Sequence, residues 1–387
     1  MVALIACAAT GYIAALSTIP QDSQLTEQIS ILQGNLDAKE AEINNIQSQL
    51  QEYENLITAL NQELLILREQ SGDENIIPET SSDQIETVEK IAYGSFTGST
   101  TYVHVINSDG TNEIRLAEGI NPKWSPDGKK IAFITQGGAL YIMNDDGIEK
   151  NIVIENIIDA PWGTFSWSPD QRIFLIKRGG DIYTVNVDGS NLLRLTETGD
   201  CGSPTFSPDG RKIAYVSGRG SQGEFSNVNC SIITMNFDGT GKTTITTIEP
   251  PGYTRRGVEY IMWSPQGDKI VYGFDEQICI INTDGTDKME LVEGYLPSWS
   301  PDGGKIAYLG GDGDILIMNP DGTDITKLVD NEVYESTPQY YSWSPDGNHI
   351  AFSYFKIDIS IVNIDGSGIT QLVELAYDCR GIHWSPS

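Results

Sequence analysis

An all-β fold, a seven-bladed β-propeller of four-stranded blades with clasp closure, is what this sequence predicts, and three features predict it. The first is a phrase of an aromatic residue, Ser-Pro, usually Asp-Gly, and then a strand. It begins at Trp124, Trp167, Phe206, Trp263, Trp299, Trp343 and Trp384, at spacings of 43, 39, 57, 36, 44 and 41 residues. A period near forty marks a propeller or solenoid. The second is an apolar strand ending in Asn-x-Asp-Gly, which also occurs seven times, with its Asp at 109, 146, 188, 238, 284, 321 and 365. Asp-Gly between alternating apolar runs signals a hairpin, because Gly accepts the positive φ of a tight turn. The third is the way the repeats begin and end. Lys90-Ile91-Ala92-Tyr93 matches the second strand of a repeat with no first strand before it, and Ile382-His383-Trp384-Ser385-Pro386 is a first strand with no second after it.

Each repeat therefore reads as four strands: A carries Trp-Ser-Pro, B is typified by Lys130-Ile131-Ala132-Phe133, C ends at the Asn-x-Asp-Gly turn, and D is typified by Leu193-Arg194-Leu195-Thr196. A four-stranded sheet cannot bury both faces alone, so neighbouring sheets stack around an axis. The split repeat predicts a clasp, in which the last residues supply the inner strand of a blade whose outer three strands come from about residue 90 to 117. Such closure removes sheet edges at the junction.

The run Trp-Ser-Pro-Asp-Gly-x-x-Ile-Ala-Phe followed by Asn-x-Asp-Gly resembles the WD40-like (PD40-type) repeat of the TolB-like family of propellers, over residues 90 to 386. Gln171 stands in place of Gly in the second copy and Gln266 in place of Asp in the fourth. The resemblance implies a propeller scaffold; similar propellers serve as binding platforms, peptidase gates and glycan-active enzymes.

Residues 1–20 are uncharged and mostly apolar, about the length that crosses a bilayer as a helix, and read as a signal-anchor or signal segment. Leu4-Ile5-Ala6-Cys7 also resembles a lipobox, with Cys7 as the lipidated residue, although only six residues precede it and none is basic. Residues 21–70 carry a heptad seam. Ile29, Leu36, Ile43, Leu50, Ile57 and Leu64 fall seven apart, as do Leu25, Leu32, Lys39, Ile46, Tyr53, Leu60 and Leu67. This two-position stripe is narrower than a globular helix shows and predicts an oligomeric coiled-coil stalk, dimer or trimer, reaching about 70 Å. Residues 71–88, rich in turn formers and acids, read as a flexible linker, and 89–387 as the propeller.

The formal charge of −30 divides into −12 over residues 1–88 and −18 over the rest. An acidic head disfavours phosphate backbones, so nucleic acid is not an expected partner. Five cysteines occur; Cys201 and Cys230 fall at one edge of the same blade and are a candidate disulfide, whereas Cys279 within strand C reads as a buried small apolar residue. Of the three histidines, His104 and His349 read as strand-surface residues, and His383, beside Trp384 on an innermost strand, as facing the channel. One channel histidine does not make a metal site, no Gly-x-Ser-x-Gly elbow occurs, and the Asp-Gly turns are accounted for by turn chemistry rather than calcium. No catalytic residue, metal or cofactor is expected.

Two connections are longer than their equivalents: Ser217 to Asn229 between B and C, and Glu249 to Glu259 between D and the next A. If strands alternate up and down, both lie on one face. They carry Arg219, Glu224, Phe225, Tyr253, Arg255 and Arg256, the aromatic and arginine mixture enriched at interaction hot spots. Arg255 and Arg256 suit a carboxylate, from an acidic peptide or a uronic-acid glycan. Trp162, Tyr340, Arg380 and His383 are further candidates at the channel mouth. The expected function is a membrane-anchored binding or scaffold protein with its propeller outside the cytoplasm, in the periplasm or at the cell surface, recognising an envelope protein or acidic glycan. The alternative is a polysaccharide lyase or glycosidase at the channel mouth. A signalling sensor, the third reading, has no recognisable output domain in the sequence.

Overall fold

The computed structural model describes residues 34, 39, 88–157, 165–218, 229–249, 258–330, 338–354, 358–374 and 379–386. The chain divides into two compact units, Met1–Ile85 and Glu86–Ser387. In the first, Gly34 and Lys39 are helical and exposed. The expected anchor with Cys7, and the rest of the stalk and most of the linker, lie outside the described residues. Among the described residues no helix is long and apolar enough to cross a membrane.

The second unit contains twenty-eight strands in seven four-stranded antiparallel sheets. The first blade joins β1 (Lys90–Thr97), β2 (Thr100–Asn107) and β3 (Ile114–Glu118) to the last strand of the chain. The second is β4 (Ile120–Trp124), β5 (Lys130–Ile134), β6 (Leu140–Asn144) and β7 (Asn151–Ile154). The third is β8 (Phe165–Trp167), β9 (Ile173–Arg178), β10 (Asp181–Asn186) and β11 (Leu193–Arg194). The fourth is β12 (Gly202–Phe206), β13 (Lys212–Ser217), β14 (Cys230–Asn236) and β15 (Thr243–Ile248). The fifth is β16 (Val258–Trp263), β17 (Lys269–Phe274), β18 (Gln277–Asn282) and β19 (Met289–Glu293). The sixth is β20 (Tyr295–Trp299), β21 (Ile306–Leu309), β22 (Ile315–Met318) and β23 (Thr326–Val329), and the seventh β24 (Pro338–Trp343), β25 (His349–Tyr354), β26 (Asp358–Asn363) and β27 (Thr370–Glu374). β28 (Cys379–Trp384) is the inner strand of the first blade and pairs with β1, Ile91 opposite Trp384 and Tyr93 opposite Ile382. The predicted clasp is thus present.

The core is not one mass but seven clusters, each at a junction between two blades. An open row of seven sheets has six junctions; the seventh cluster, in which Ile359 and Ile361 meet Ile91, Tyr93, Ile382 and Trp384, closes the ring. Strands B are buried on both faces, which is why they read as continuous apolar runs: Ile131 and Phe133 go to one junction, Ala132 and Ile134 to the next.

The two repeated phrases are turn chemistry. In the Ser-Pro-Asp-Gly turn, the Ser125 hydroxyl donates to Asp127 Oδ1 at 2.7 Å and accepts the Lys130 N–H at 2.9 Å, and the same pair of bonds recurs at Ser168, Ser207, Ser300 and Ser344. Where Gln266 stands in place of Asp, Asp268 receives the Ser264 hydroxyl instead, at 2.8 Å. Gln171, in place of Gly, adopts φ 63°, a left-handed backbone that glycine holds without strain. In the Asn-x-Asp-Gly turn, Asp109 Oδ1 accepts both the N–H and the hydroxyl of Thr111, at 2.9 and 2.6 Å. Asp188, Asp238, Asp284, Asp321 and Asp365 are occupied in the same way, as the turn reading expects.

The candidate disulfide is corrected. Cys201 and Cys230 are not joined by a disulfide. Gly202, next to Cys201, pairs with Val216 of β13, and Ser217 of β13 pairs with Ser231, next to Cys230. One whole strand therefore separates them, about 9–10 Å at strand spacing, beyond disulfide reach. They do share a blade edge, as expected. Cys279 is buried, as read from the sequence.

Candidate functional site

The inner strands build the channel wall. Each motif aromatic is buried in a blade junction, so the residue before it, on the opposite face of the strand, turns to the axis. Around the ring these residues are His383, Lys123, Ser166, Thr205, Met262, Ser298 and Ser342. None is fully buried, whereas each following aromatic is. Six of the seven inner strands have one residue more than their partner: in β4, for example, Ile120 and Lys123 pair with Ile134 and Ala132. In five of these bulges a residue has positive φ: Asn121, Ser203, Tyr260, Leu296 and Gly381. A bulge sharpens local twist and re-aims side chains.

At the end of the channel carrying the Ser-Pro turns lies a cavity of about 460 Å³, lined by Lys123, His383, Ser125, Ser166, Ser385, the motif tryptophans of four blades and several motif prolines. Lys123 and His383 are its two ionisable side chains. Lys123 Nζ donates to the Phe165 carbonyl at 2.8 Å and sits 5.2 Å from the Phe165 ring centre. The channel keeps Lys123 partly accessible to water, yet the ring encloses it on all sides. That burial pulls its ammonium down to about 8. His383 Nδ1 accepts the Trp124 N–H at 3.4 Å, tying the clasp strand to the second blade and placing the ring proton on Nε2. Burial, with the Lys123 charge adding, lowers His383 to about 4, so it is neutral at pH 7.

Of the nine candidate residues, Trp162, Arg219, Phe225, Tyr253, Arg255 and Arg256 lie outside the described residues. Among the others, His383 lines the cavity. Arg380 lies three residues earlier on β28, toward the opposite end of the ring, with its guanidinium 5.9 Å from the Phe96 ring centre. Tyr340 packs against the closure cluster. Arg380 and His383 therefore lie toward opposite ends of β28, and only His383 lines the cavity. The described residues flanking 219–228 and those preceding 250–257 meet at one end of the fourth blade, where Ser217 pairs with Ser231 and Cys230 with Ile248. That end is opposite the cavity.

His104 lies on the partly exposed face of β2, but it is not free there. It stacks on Tyr93 with ring centres 5.0 Å apart, and its two nitrogens bond Glu113 and Ser95, each at 3.0 Å. Burial lowers its pKa against the opposing charge and hydrogen bond of Glu113. Lys123 was missed by sequence reasoning. The signal was present: aligned on the motif aromatic, the preceding position reads His, Lys, Ser, Thr, Met, Ser, Ser. Among the described residues, no group of three or more His, Cys, Asp or Glu is placed to hold a metal ion.

A buried carboxylate also opens strand C on the loop-bearing end in three blades. Asp181 meets Arg194 at 2.6 Å and Asp314 meets Lys327 at 2.6 Å, each cation sitting at the same ladder position of strand D. Asp358 is as buried, but Gln371 occupies that position, paired with Ser360. Burial raises the Asp358 carboxyl, Glu374 adds to this and Ser360 opposes it; Oδ1 has no hydrogen-bond partner among the described residues. Gln371→Lys is expected to supply the missing cation, raising stability by about 1 kcal/mol after allowing for a half-exposed ammonium. Urea unfolding at pH 7 checks this, and an unchanged midpoint would show that Asp358 does not reach the new charge.

The comparisons fit this geometry. A family model described as the TolB beta propeller domain matches residues 60–295. The chain is 27% identical over 213 residues to an uncharacterized protein of Agrobacterium fabrum, covering 48% of this chain and 67% of that one. It is 26% identical over 182 residues to the Tol-Pal system protein TolB of Francisella tularensis subsp. mediasiatica, covering 44% of this chain but only 40% of that protein. Among solved structures, an oligogalacturonate lyase in complex with manganese superposes with a TM-score of 0.52 at 16% identity, over 68% of this chain and 82% of the lyase; this likeness is one of fold. With its repeated turns, its clasp and a family match spanning more than half its length, this chain belongs to the TolB β-propeller domain family.

Proposed function

We propose that this protein is a non-enzymatic binding platform outside the cytoplasm, whose propeller presents its loop-bearing end to another protein of the cell envelope. The observation that carries the reading is the pairing of a rigid closed ring with the two longest connections, whose described flanks meet at one end of the fourth blade. Binding residues concentrate on loops held by such a scaffold. The TolB relative is named as part of a Tol-Pal system, which supports a protein partner over a small substrate. The apolar segment 1–20 tethers the chain to the membrane and the heptads of 21–70 assemble several heads, raising the effective concentration at a repeated ligand. Arg255 and Arg256 supply the charge-assisted contacts within an acidic head.

The test is capture of envelope proteins by the chain from Gln21 onward, beside a panel of acidic and neutral glycans. A specific protein is expected to bind, and the Arg255→Ala/Arg256→Ala variant to capture it at least tenfold less well while melting at the same temperature. Undiminished capture by a folded double variant rules out the arginine face. Progressive shortening of an acidic glycan, with no protein captured, overturns the platform reading in favour of an enzyme.

A further inference from the structure

We propose that the cavity at the Ser-Pro-turn end of the channel is an oxyanion site, in which Lys123 and His383 hold the carboxylate or phosphate group of a small molecule. The site lies at the opposite end of the ring from the loops of the platform reading and stands independently of it.

Four observations converge on it. Of the seven axis-facing positions, five carry uncharged side chains, and the only ionisable pair, Lys123 and His383, sits on adjacent blades. Among the described residues no Asp or Glu lines the cavity, so no carboxylate of its described wall neutralises the ammonium or competes with an anion. Lys123 Nζ has three N–H bonds, and the Phe165 carbonyl takes one. His383 receives a backbone N–H on Nδ1, which leaves Nε2–H as a second donor. A buried cation without a counter-charge is costly, and an anion seated between these donors removes that cost. The remaining wall is made of Trp, Pro and Ser residues, and about 460 Å³ accommodates a small organic acid whose body lies against Pro301, Pro345 and Pro386.

Burial sets a pH signature. With Lys123 near 8, its charged fraction falls about tenfold between pH 7 and pH 9, whereas an ordinary lysine stays protonated across that interval. The experiment is calorimetric titration with three probes, inorganic phosphate, acetate and benzoate, at fixed ionic strength set with sodium chloride. The full-length protein, Lys123→Met and Lys123→Arg are compared at pH 7 and pH 9. The expected result is saturable binding of at least one probe by the wild type, at least tenfold weaker in Lys123→Met, retained in Lys123→Arg, and about tenfold weaker at pH 9 than at pH 7. Phosphate binding alone would assign a phosphate ligand; benzoate bound more tightly than acetate would assign a carboxylic acid with an apolar body. Equal binding by Lys123→Met, or no saturable binding of any probe to folded wild type, overturns the proposal. If Lys123→Met does not fold, the Lys123→Arg titration and the wild-type pH ratio decide it.

Discussion

Ending the chain at Asp378, so that β28 is lost, is expected to abolish the cooperative native ring. β28 supplies Cys379, Ile382 and Trp384 to the closure cluster, and the Ser385 N–H donates to the Lys90 carbonyl at 2.7 Å while the Lys90 N–H returns to Ser385 Oγ at 3.0 Å. It also joins its neighbours sideways: the Trp384 N–H donates to Ser342 Oγ at 3.0 Å, and His383 accepts from Trp124. Without it, β1 becomes an open inner edge and the closure junction loses one wall, a template for pairing between chains. The truncated protein should aggregate or melt without a sharp transition in size-exclusion and thermal circular-dichroism measurements. Trp384→Ala is the graded version. Removing a buried indole from the closing junction should cost about 3–5 kcal/mol, whereas Leu193→Ala on the outermost strand, half-exposed, should change stability by less than about 0.5 kcal/mol. A truncated monomer that melts like the full chain would show that the ring does not depend on its clasp.

Acid should weaken the same junction. His383 is lowered to about 4 in the folded ring, against about 6.5 unfolded, because burial and the neighbouring Lys123 charge disfavour its protonated form. Between these values the unfolded chain binds a proton that the folded chain does not, so stability is complete above pH 6.5 and declines as pH falls toward 4. Integrated over that window the loss is about 3 kcal/mol. His383→Gln keeps an acceptor for the Trp124 N–H but does not titrate, and its stability should be flatter across pH 6.5–4. The turn aspartates, held below the usual carboxylate range by their Thr and Ser partners, contribute their own loss at lower pH in both proteins. Denaturant unfolding at pH 7, 5.5 and 4.5 distinguishes the two; parallel curves would mean that His383 is not buried neutral.

The two recurring phrases were legible because each solves a local problem. Ser-Pro-Asp-Gly closes the A–B turn through its own hydroxyl and carboxylate, and Asn-x-Asp-Gly closes C–D through an Asp-to-Thr or Asp-to-Ser bond. Neither needs a distant residue. The Gln266 departure illustrates the limit: the sequence marks a missing Asp, and only the folded turn shows Asp268 in its place. Cys201 and Cys230 were rightly assigned to one blade edge, but their separation is set by the strand between them. Asp358 looks like any strand-opening acid until the ladder aligns it with Asp181 and Asp314 and places Gln371 where Arg194 and Lys327 stand.

The sequence by itself determined the number of blades, their four-strand plan and the clasp, since periodicity and turn chemistry are encoded within each repeat and closure follows from how the repeats begin and end. The tertiary structure alone decided what gathers at the axis. Lys123 and His383 are 260 residues apart in the chain, and each is unexceptional within its own repeat. Only the closed ring sets their blades side by side, partly buries them at the channel wall and so gives the pair its donors, its shifted protonation and its cavity.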